Sequence, residues 1–385
     1  MKRIAIIGGG LAGCSLIHWL LKDNSVLDIT LFDSQDPYTA SFGPTLLCHP
    51  FPGRSLAPHP YLGDAVECTR ELLKDWTQIA PQTIRETHMW RPLKGSNAQR
   101  LSKSHLDWWT EEGKHAHENT WLENRPTITT CTESDIETHP CFKTDYPTLR
   151  TGPAFAIDAG DLFPLVHQHF RNNNVSTHYT SIQSIEKCHD QWCVHSDNGE
   201  TTCFDQVVLA FGRQTKRWFP HLDITLQGGS LLKARPSSPE TIEALSLDGL
   251  HVGQHADKDW VFGSTRWSEQ PPTPETETTE LLQRLTKTLP HSPTMNADIS
   301  TLWSGIRTIY GSDRLTLCGE LPQHRNIFVL TALGSKGFLW GPWTARLLQK
   351  RLTQQTVGAE FETVDLMRAN AEDGWYSPYI QNSIG

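Results

Sequence analysis

Arg3-Ile4-Ala5-Ile6-Ile7-Gly8-Gly9-Gly10-Leu11-Ala12-Gly13 is the stretch that decides the fold, and the residues from there to Asp33 complete its reading. The apolar, mostly β-branched run Ile4 to Ile7 predicts a strand buried on both faces. Gly8, Gly10 and Gly13 follow in G-x-G-x-x-G spacing. Gly8 allows a tight turn, Gly10 lets a pyrophosphate approach the backbone, and Gly13 lets the next helix lie close on the strand. A helix over about residues 11 to 22, opening with Leu11 and Ala12, then offers free amide groups and a positive dipole end to phosphates. The second strand, Asp28-Ile29-Thr30-Leu31-Phe32, delivers Asp33 twenty positions after Gly13. A carboxylate there accepts hydrogen bonds from a ribose. Ser34 stands where a 2′-phosphate site favours arginine, which argues against NADP. The stretch predicts dinucleotide binding and does not separate FAD from NAD.

The rest of the composition sets limits. A chain of 385 residues has room for two domains or one elaborated domain. A net charge of −9 argues against a general nucleic-acid coat. No apolar run is long enough to cross a bilayer, and the N-terminus reads as a core strand, so a cytoplasmic protein without a membrane span is expected. Nine cysteines form no C-x-x-C pair, and eighteen histidines form no H-E-x-x-H, so no metal site is expected. Cys188 and Cys193 read as buried thiols across a hairpin rather than as a disulfide.

Outward from the first unit, Ser34 to Pro60 is rich in Pro, Gly, Ser and His, a composition typical of a functional loop. Its small and hydroxylated residues, Ser41 and Thr45 with Leu46 beyond, suit a wrap around a cofactor; His49 and Arg54 are candidates to face a substrate. Leu62 to Ile79 has helical spacing. Thr87 to Tyr146 holds Trp90, Trp108, Trp109 and Trp121 and predicts strands of an inserted domain, with the tryptophans in its core. Ala154 to Asp158 predicts an edge strand followed by a helix over Asp161 to Phe170. Strands are expected over Val175 to Lys187 and Trp192 to Ser196, joined at Asp197-Asn198-Gly199. Val207 to Ala210, ending at Phe211-Gly212, returns the chain to the nucleotide sheet. Further strands and a helix of about Glu275 to Leu289 precede Asn326-Ile327-Phe328-Val329-Leu330, the turn Gly334-Ser335-Lys336-Gly337, and a helix from about Gly341 to Leu352.

This order of parts resembles the FAD-dependent D-amino-acid oxidase, glycine oxidase and sarcosine oxidase superfamily. Four segments carry the resemblance: the glycine motif through Asp33, Val207 to Gly212 with Trp218 beyond, Trp303-Ser304-Gly305-Ile306-Arg307, and Leu333-Gly334-Ser335-Lys336-Gly337-Phe338. It implies a mixed α/β protein, a Rossmann-like FAD-binding domain (1–85, 150–215 and 305–385) with an inserted antiparallel-sheet substrate domain (86–149 and 216–304). The strand of Ile182 resembles the one that meets the adenine, and Gly212 and the turn from Gly334 to Phe338 resemble flavin-contacting loops. Arg307 matches the arginine that pairs with a substrate carboxylate, with His49 and Tyr310 as further substrate candidates. Lys336 is placed to tune the flavin. Thr308 after Arg307 departs from a common proline.

The resemblance further implies non-covalent FAD and oxidation of a C–N bond beside a carboxylate, with oxygen or another acceptor reoxidising the flavin. The Ala332 to Phe338 segment looks most like the oxidase domain of the tRNA wobble-uridine enzyme, which acts on carboxymethylaminomethyl-uridine. A tRNA substrate would need a basic ring, for which Lys216, Arg217, Arg346, Lys350 and Arg351 are candidates. The alternatives are a small-molecule glycine, D-amino-acid or sarcosine-type oxidase or dehydrogenase, a non-catalytic FAD-binding module, and an NAD-linked dehydrogenase.

Overall fold

In a computed structural model, the chain is described over residues 1–23, 27–50, 59–93, 127–131, 148–236, 241–247, 249–268, 270–289, 298–311, 314–369 and 375–382. The first unit is β1 (Lys2–Ile7), α1 (Leu11–Lys22) and β2 (Leu27–Phe32), followed by β3 (Leu46–Cys48), α2 (Leu62–Ile79), β4 (Ile84–Pro92) and β5 (Thr127–Thr130). The middle holds β6 (Thr148–Ile157), α3 (Ala159–Asn172), β7 (Ser176–His178), β8 (Ile182–Cys188), β9 (Gln191–Ser196), β10 (Thr201–Phe204), β11 (Gln206–Leu209) and α4 (Thr215–Trp218). Then come β12 (Ile224–Arg235), β13 (Ala244–Leu247), β14 (Leu250–Gln254), β15 (Trp260–Gly263) and α5 (Pro274–Thr288). The chain closes with β16 (Asp298–Tyr310), β17 (Leu317–Leu321), β18 (His324–Thr331), α6 (Gly337–Leu352) and β19 (Ile380–Gln381).

β1 lies inside a six-stranded sheet ordered β17-β18-β11-β1-β2-β7 and runs parallel to both neighbours. A parallel strand is covered on both faces, and the alternation along β1 shows how. Ile4 and Ile6 enter the core formed with α1, α2, α3 and α6, while Ala5 and Ile7 enter a second core with Trp192, Phe204 and Phe219. That explains the unbroken apolar run of the sequence. A four-stranded sheet, β10-β9-β8-β19, closes the second core.

The other large sheet has nine strands and is antiparallel except where β13 runs parallel to β4. Its order is β16-β12-β15-β14-β13-β4-β6-β3, with β5 also on β6. β6 therefore pairs with β3, β4 and β5 and is an interior strand, where an edge strand was expected. Pro153 follows Gly152 where β5 and the irregular part of β4 meet β6.

α6 begins at Gly337, four residues before its expected start. Pro342 has no N–H for the carbonyl of Phe338, and a proline inside a helix normally leaves that oxygen without its donor. The Thr69 hydroxyl of α2 donates to it at 2.8 Å, so the helix continues through the proline. The indole N–H of Trp19 donates to the Pro342 carbonyl at 2.8 Å and ties α1 to the same place.

Two further expectations are corrected. Cys193 forms a disulfide with Cys203, its partner in the β9–β10 register, and Cys188 is an exposed thiol. Asp197-Asn198-Gly199 joins β9 to β10, because the β8–β9 connection is made by His189 and Asp190. Trp90 is buried as expected, while Trp108, Trp109 and Trp121 lie outside the described residues. Among the described residues no helix is long and apolar enough to cross a membrane, and no group of three or more potential ligands forms a metal site.

Candidate active site

A cavity of about 1060 Å³ opens between the carboxyl ends of β1, β2 and β11 and one face of the nine-stranded sheet. Ligands of parallel sheets bind at such strand ends. At the end of the cavity next to β1 and β2 the glycine motif is shaped as its spacing predicts. A Cβ on Gly13 would lie 2.0 Å from the Gly8 carbonyl oxygen, so the helix reaches the strand only because Gly13 has no side chain. Gly8 has φ +120° and also leaves no room for a Cβ against the Ala210 backbone.

Gly9 is fixed by His167, whose Nε2 meets its carbonyl oxygen at 2.8 Å, and by the Cys14 thiol at 3.2 Å. α1 has no acidic residue in its first turn, leaving its positive end available to an anion. One of its amides, Leu11 N–H, donates to Ser41 Oγ at 3.0 Å, which ties the wrapping loop to the motif. Asp33 is buried on the cavity wall, with one carboxylate oxygen accepting from the Gln35 amide at 3.3 Å. This donor set, an open helix end beside a buried carboxylate, fits the pyrophosphate and ribose of a dinucleotide.

Gly8, Gly10, Leu11, Ala12, Asp33, Ser41, Thr45, Leu46, Ile182 and Gly212 all line the cavity, as do all five residues from Gly334 to Phe338. Gly13 lies behind it and acts through packing. Thr45 is also indirect, since its hydroxyl donates to buried Asp158 at 2.7 Å. Asp158 in turn accepts two hydrogen bonds from Arg85, at 2.7 and 3.0 Å, and one from the Ala256 amide. The carboxylate thus joins three segments under the wrapping loop. α6 opens onto the cavity with no acid in its first turn, and Gly337 sits 3.2 Å, by its would-be Cβ, from the Leu11 side chain. Two positive helix ends therefore share one cavity.

The opposite wall is a sheet face cleared by small residues. β12 and β16 pair with Gln227 opposite Arg307, Gly229 opposite Gly305 and Leu231 opposite Trp303. Side chains alternate along a strand, so these six residues share a face, and all six line the cavity. Gly263 and Gly253 extend the cleared strip onto β15 and β14. A Cβ on Gly305 would lie 2.3 Å from the Trp303 ring and 3.1 Å from Ala40.

Arg307 projects over this strip, half-buried, with Nη2 3.5 Å from Gln227 Oε1. Burial, with Arg266 nearby, lowers its pKa. Tyr310 is corrected by the same alternation. Three positions beyond Arg307, it faces away into the core with Ile224 and Trp218 and does not line the cavity.

His49 lines the cavity, and its buried Nδ1 makes no hydrogen bond among the described residues. Burial first, then Arg91, His251 and Lys336, pushes its pKa down to about 3. His251 exposes its ring to the cavity yet is enclosed by the surrounding protein, and its pKa is lowered to about 4 by that enclosure and by Arg91 and Arg307. Lys336 is half-buried and its pKa is lowered by burial and Arg314. Arg54 lies outside the described residues.

The sequence reading missed Arg91, Arg266, Arg314, His251, Gln227 and Trp303, all on the cavity wall. The alternation Gln227-x-Gly229-x-Leu231 against Trp303-x-Gly305-x-Arg307 was the one available signal for the last two.

The family model of FAD-dependent oxidoreductases designated DAO matches residues 3–351. Among solved structures, glycine oxidase from Geobacillus kaustophilus is similar with a TM-score of 0.78 at 18% identity, covering 96% of this chain and 99% of that one. Iminodiacetate oxidase from Chelativorans sp. BNC1 gives 0.78 at 14% identity, covering 94% and 98%. L-proline dehydrogenase from P. horikoshii gives 0.77 at 14%, covering 96% and 98%. No curated protein sequence matches the chain significantly.

Proposed function

The chain belongs to the DAO family of FAD-dependent oxidoreductases, and within it we propose that it oxidises the C–N bond of an amino acid or carboxymethyl-amine, with Arg307 holding the carboxylate. The observation that carries this is Arg307 itself, a half-buried fork over a glycine-cleared strip. A guanidinium binds a carboxylate through two parallel hydrogen bonds and so fixes the direction of the neighbouring C–N bond. Glycine oxidase and iminodiacetate oxidase, whose folds this chain shares, are named for such substrates.

Bound FAD supplies the two-electron acceptor for this chemistry. The segments around the six-stranded sheet, including Gly8, Gly10, Asp33 and Ile182, hold the dinucleotide, and the nine-stranded sheet shapes the substrate pocket. Lys336, in the turn from Gly334 to Phe338 at the second helix end, would stabilise negative charge gained by a bound flavin on reduction. Trp303 and Leu231 exclude water from the strip. The chain's cations also set the protonation of the amine: a site lined by guanidinium groups disfavours an ammonium ion, so the substrate is held in the neutral form that oxidation requires. No strong base is needed. His49, kept neutral, offers to a ligand atom its Nδ1, which has no partner among the described residues.

The cofactor is held without a covalent bond. Cys48, the one cysteine on the cavity wall among the described residues, is buried and its thiol is pushed up to about 12, which keeps it un-ionised and unreactive. Acid precipitation that releases all flavin into the supernatant is the expected outcome.

A carboxymethylaminomethyl-uridine of tRNA presents the same carboxymethyl-amine, but four of the five residues expected to form a basic ring are engaged within the chain. Lys216 donates to the carbonyls of Pro220 and Leu222, Arg217 to Tyr379, and Arg346 to Glu71. Arg351 lies over the Phe361 ring. The oxidation itself is tested by anaerobic addition of amines to the purified flavoprotein, with bleaching expected in the wild type and greatly slowed in Arg307→Ala.

A further inference from the structure

We propose that the C-terminal strand β19, through Tyr379 just before it, holds Arg217 against the AMP half of the bound dinucleotide and so sets how tightly FAD is kept. Arg307 and the glycine-cleared strip occupy one end of the cavity; Gly8, Gly10 and Asp33, proposed above to hold the dinucleotide, mark the other. Beside Asp33 the wall is built by Thr180, Ser181 and Ile182, where β8 begins. The Asp33 N–H donates to the His178 carbonyl at 2.9 Å, which fixes this segment next to the carboxylate. Phe211, just after β11, and Arg217 and Trp218, of α4, line the same cavity. β8 and α4 are separated in the chain by two strands, and Tyr379 joins them.

The Tyr379 carbonyl accepts from the Ile185 N–H at 2.8 Å, and the next residue, Ile380, pairs in parallel with β8. The Tyr379 ring lies 5.2 Å from the Trp218 ring, which in turn lies 5.0 Å from the ring of Phe211. Its hydroxyl accepts from Arg217 Nε at 3.1 Å, and the guanidinium carbon of Arg217 stands 4.9 Å from the centre of the same ring. Trp375, Ser377 and Ile380 are buried around it, with Trp375 edge-on to Phe219 at 5.2 Å, so Tyr379 is anchored on both sides. Core packing accounts for Trp218 and Ile380, which are buried. It does not account for Arg217, an exposed side chain on the cavity wall held in one orientation at a cost in side-chain entropy. Tyr379 takes its Nε and one face, and among the described residues its two terminal nitrogens have no hydrogen-bond or ion-pair partner. A guanidinium fixed in one plane stacks on a purine or pairs with a phosphate oxygen, and both belong to the AMP half.

Flavin-fluorescence titrations of the deflavinated full-length chain test this without turnover. FAD and FMN share the isoalloxazine and only FAD carries AMP, so the comparison is independent of which amine the flavin oxidises. Tyr379→Ala and Arg217→Ala are each expected to weaken FAD binding about fivefold to tenfold while changing FMN binding by less than about twofold. Tyr379→Phe, which keeps the ring and loses the hydroxyl, is expected to fall between wild type and Tyr379→Ala. The double variant is expected to stay within about twofold of Tyr379→Ala, because both changes remove one shared contact. Unchanged FAD affinity in Arg217→Ala, equal losses for FAD and FMN, or fully additive losses in the double variant overturns the inference. Arg217 is exposed, so Arg217→Ala and Tyr379→Phe decide the outcome should Tyr379→Ala fail to fold.

Discussion

Arg307 and Gln227 stand directly opposite each other in the β12–β16 register, and the guanidinium Nη2 lies 3.5 Å from the amide oxygen. At that distance the contact is weak. Gln227 guides the fork without saturating it, which leaves donors available for the substrate acid proposed above.

Arg307→Ala is expected to lower kcat/KM by on the order of 10²- to 10³-fold, the cost of removing one partner from a desolvated charge pair. Arg307→Lys keeps the charge but loses the planar fork, so it should recover only part of the activity. Gln227→Ala should change kcat/KM by about threefold or less, in line with a net hydrogen-bond contribution below about 1 kcal/mol. Anaerobic flavin-reduction kinetics over a range of substrate concentration separate the three.

Gly13→Ala and Gly10→Ala should fail differently. The new Cβ at Gly13 meets backbone, 2.0 Å from the Gly8 oxygen, and should destabilise the fold itself by about 2 kcal/mol or more. At Gly10 the nearest atom is the Ser41 hydroxyl, at 3.1 Å, so the fold should survive and flavin affinity should fall. Thermal unfolding alongside the flavin-to-protein ratio distinguishes them.

Asp158→Asn should cost about 3 kcal/mol of stability, because it leaves Arg85 without its two-point partner in a largely buried network. Thr45→Val removes only one hydrogen bond to that carboxylate and should cost about 1 kcal/mol. Denaturant midpoints measure both.

His49 and His251 imply an acid limit to stability. Their folded pKa values, about 3 and about 4, lie below the unfolded value of about 6.5. Between those limits the unfolded chain binds more protons, so this contribution is intact above about pH 6.5 and is lost as pH falls toward 4. The unfolding midpoint should drop over that window, and the drop should be shallower in His49→Gln and His251→Gln.

The local parts of this account were legible in the sequence. β1, α1 and β2 follow from an apolar run, three glycines and an acid, all within 33 residues whose spacing carries the physics. Arg307 was reached through resemblance, and its depth in the cavity depends on glycines in two strands brought together by pairing. Arg91 and Arg266 were not legible, since nothing near either marks it as facing the other. Tyr310 shows the limit of proximity in sequence: three residues from Arg307, it has the opposite strand parity and lies in the core. Cys193 escaped for a related reason, because its partner was the cysteine across β9–β10 and not the nearer Cys188.

The most direct test of the central claim is anaerobic titration of the purified holoprotein with glycine, sarcosine and iminodiacetate while the visible flavin band is followed. Bleaching by a carboxymethyl-amine, with the rate collapsing in Arg307→Ala, is the predicted result. A flavin that stays oxidised with all three amines, or is bleached equally fast without Arg307, would contradict it.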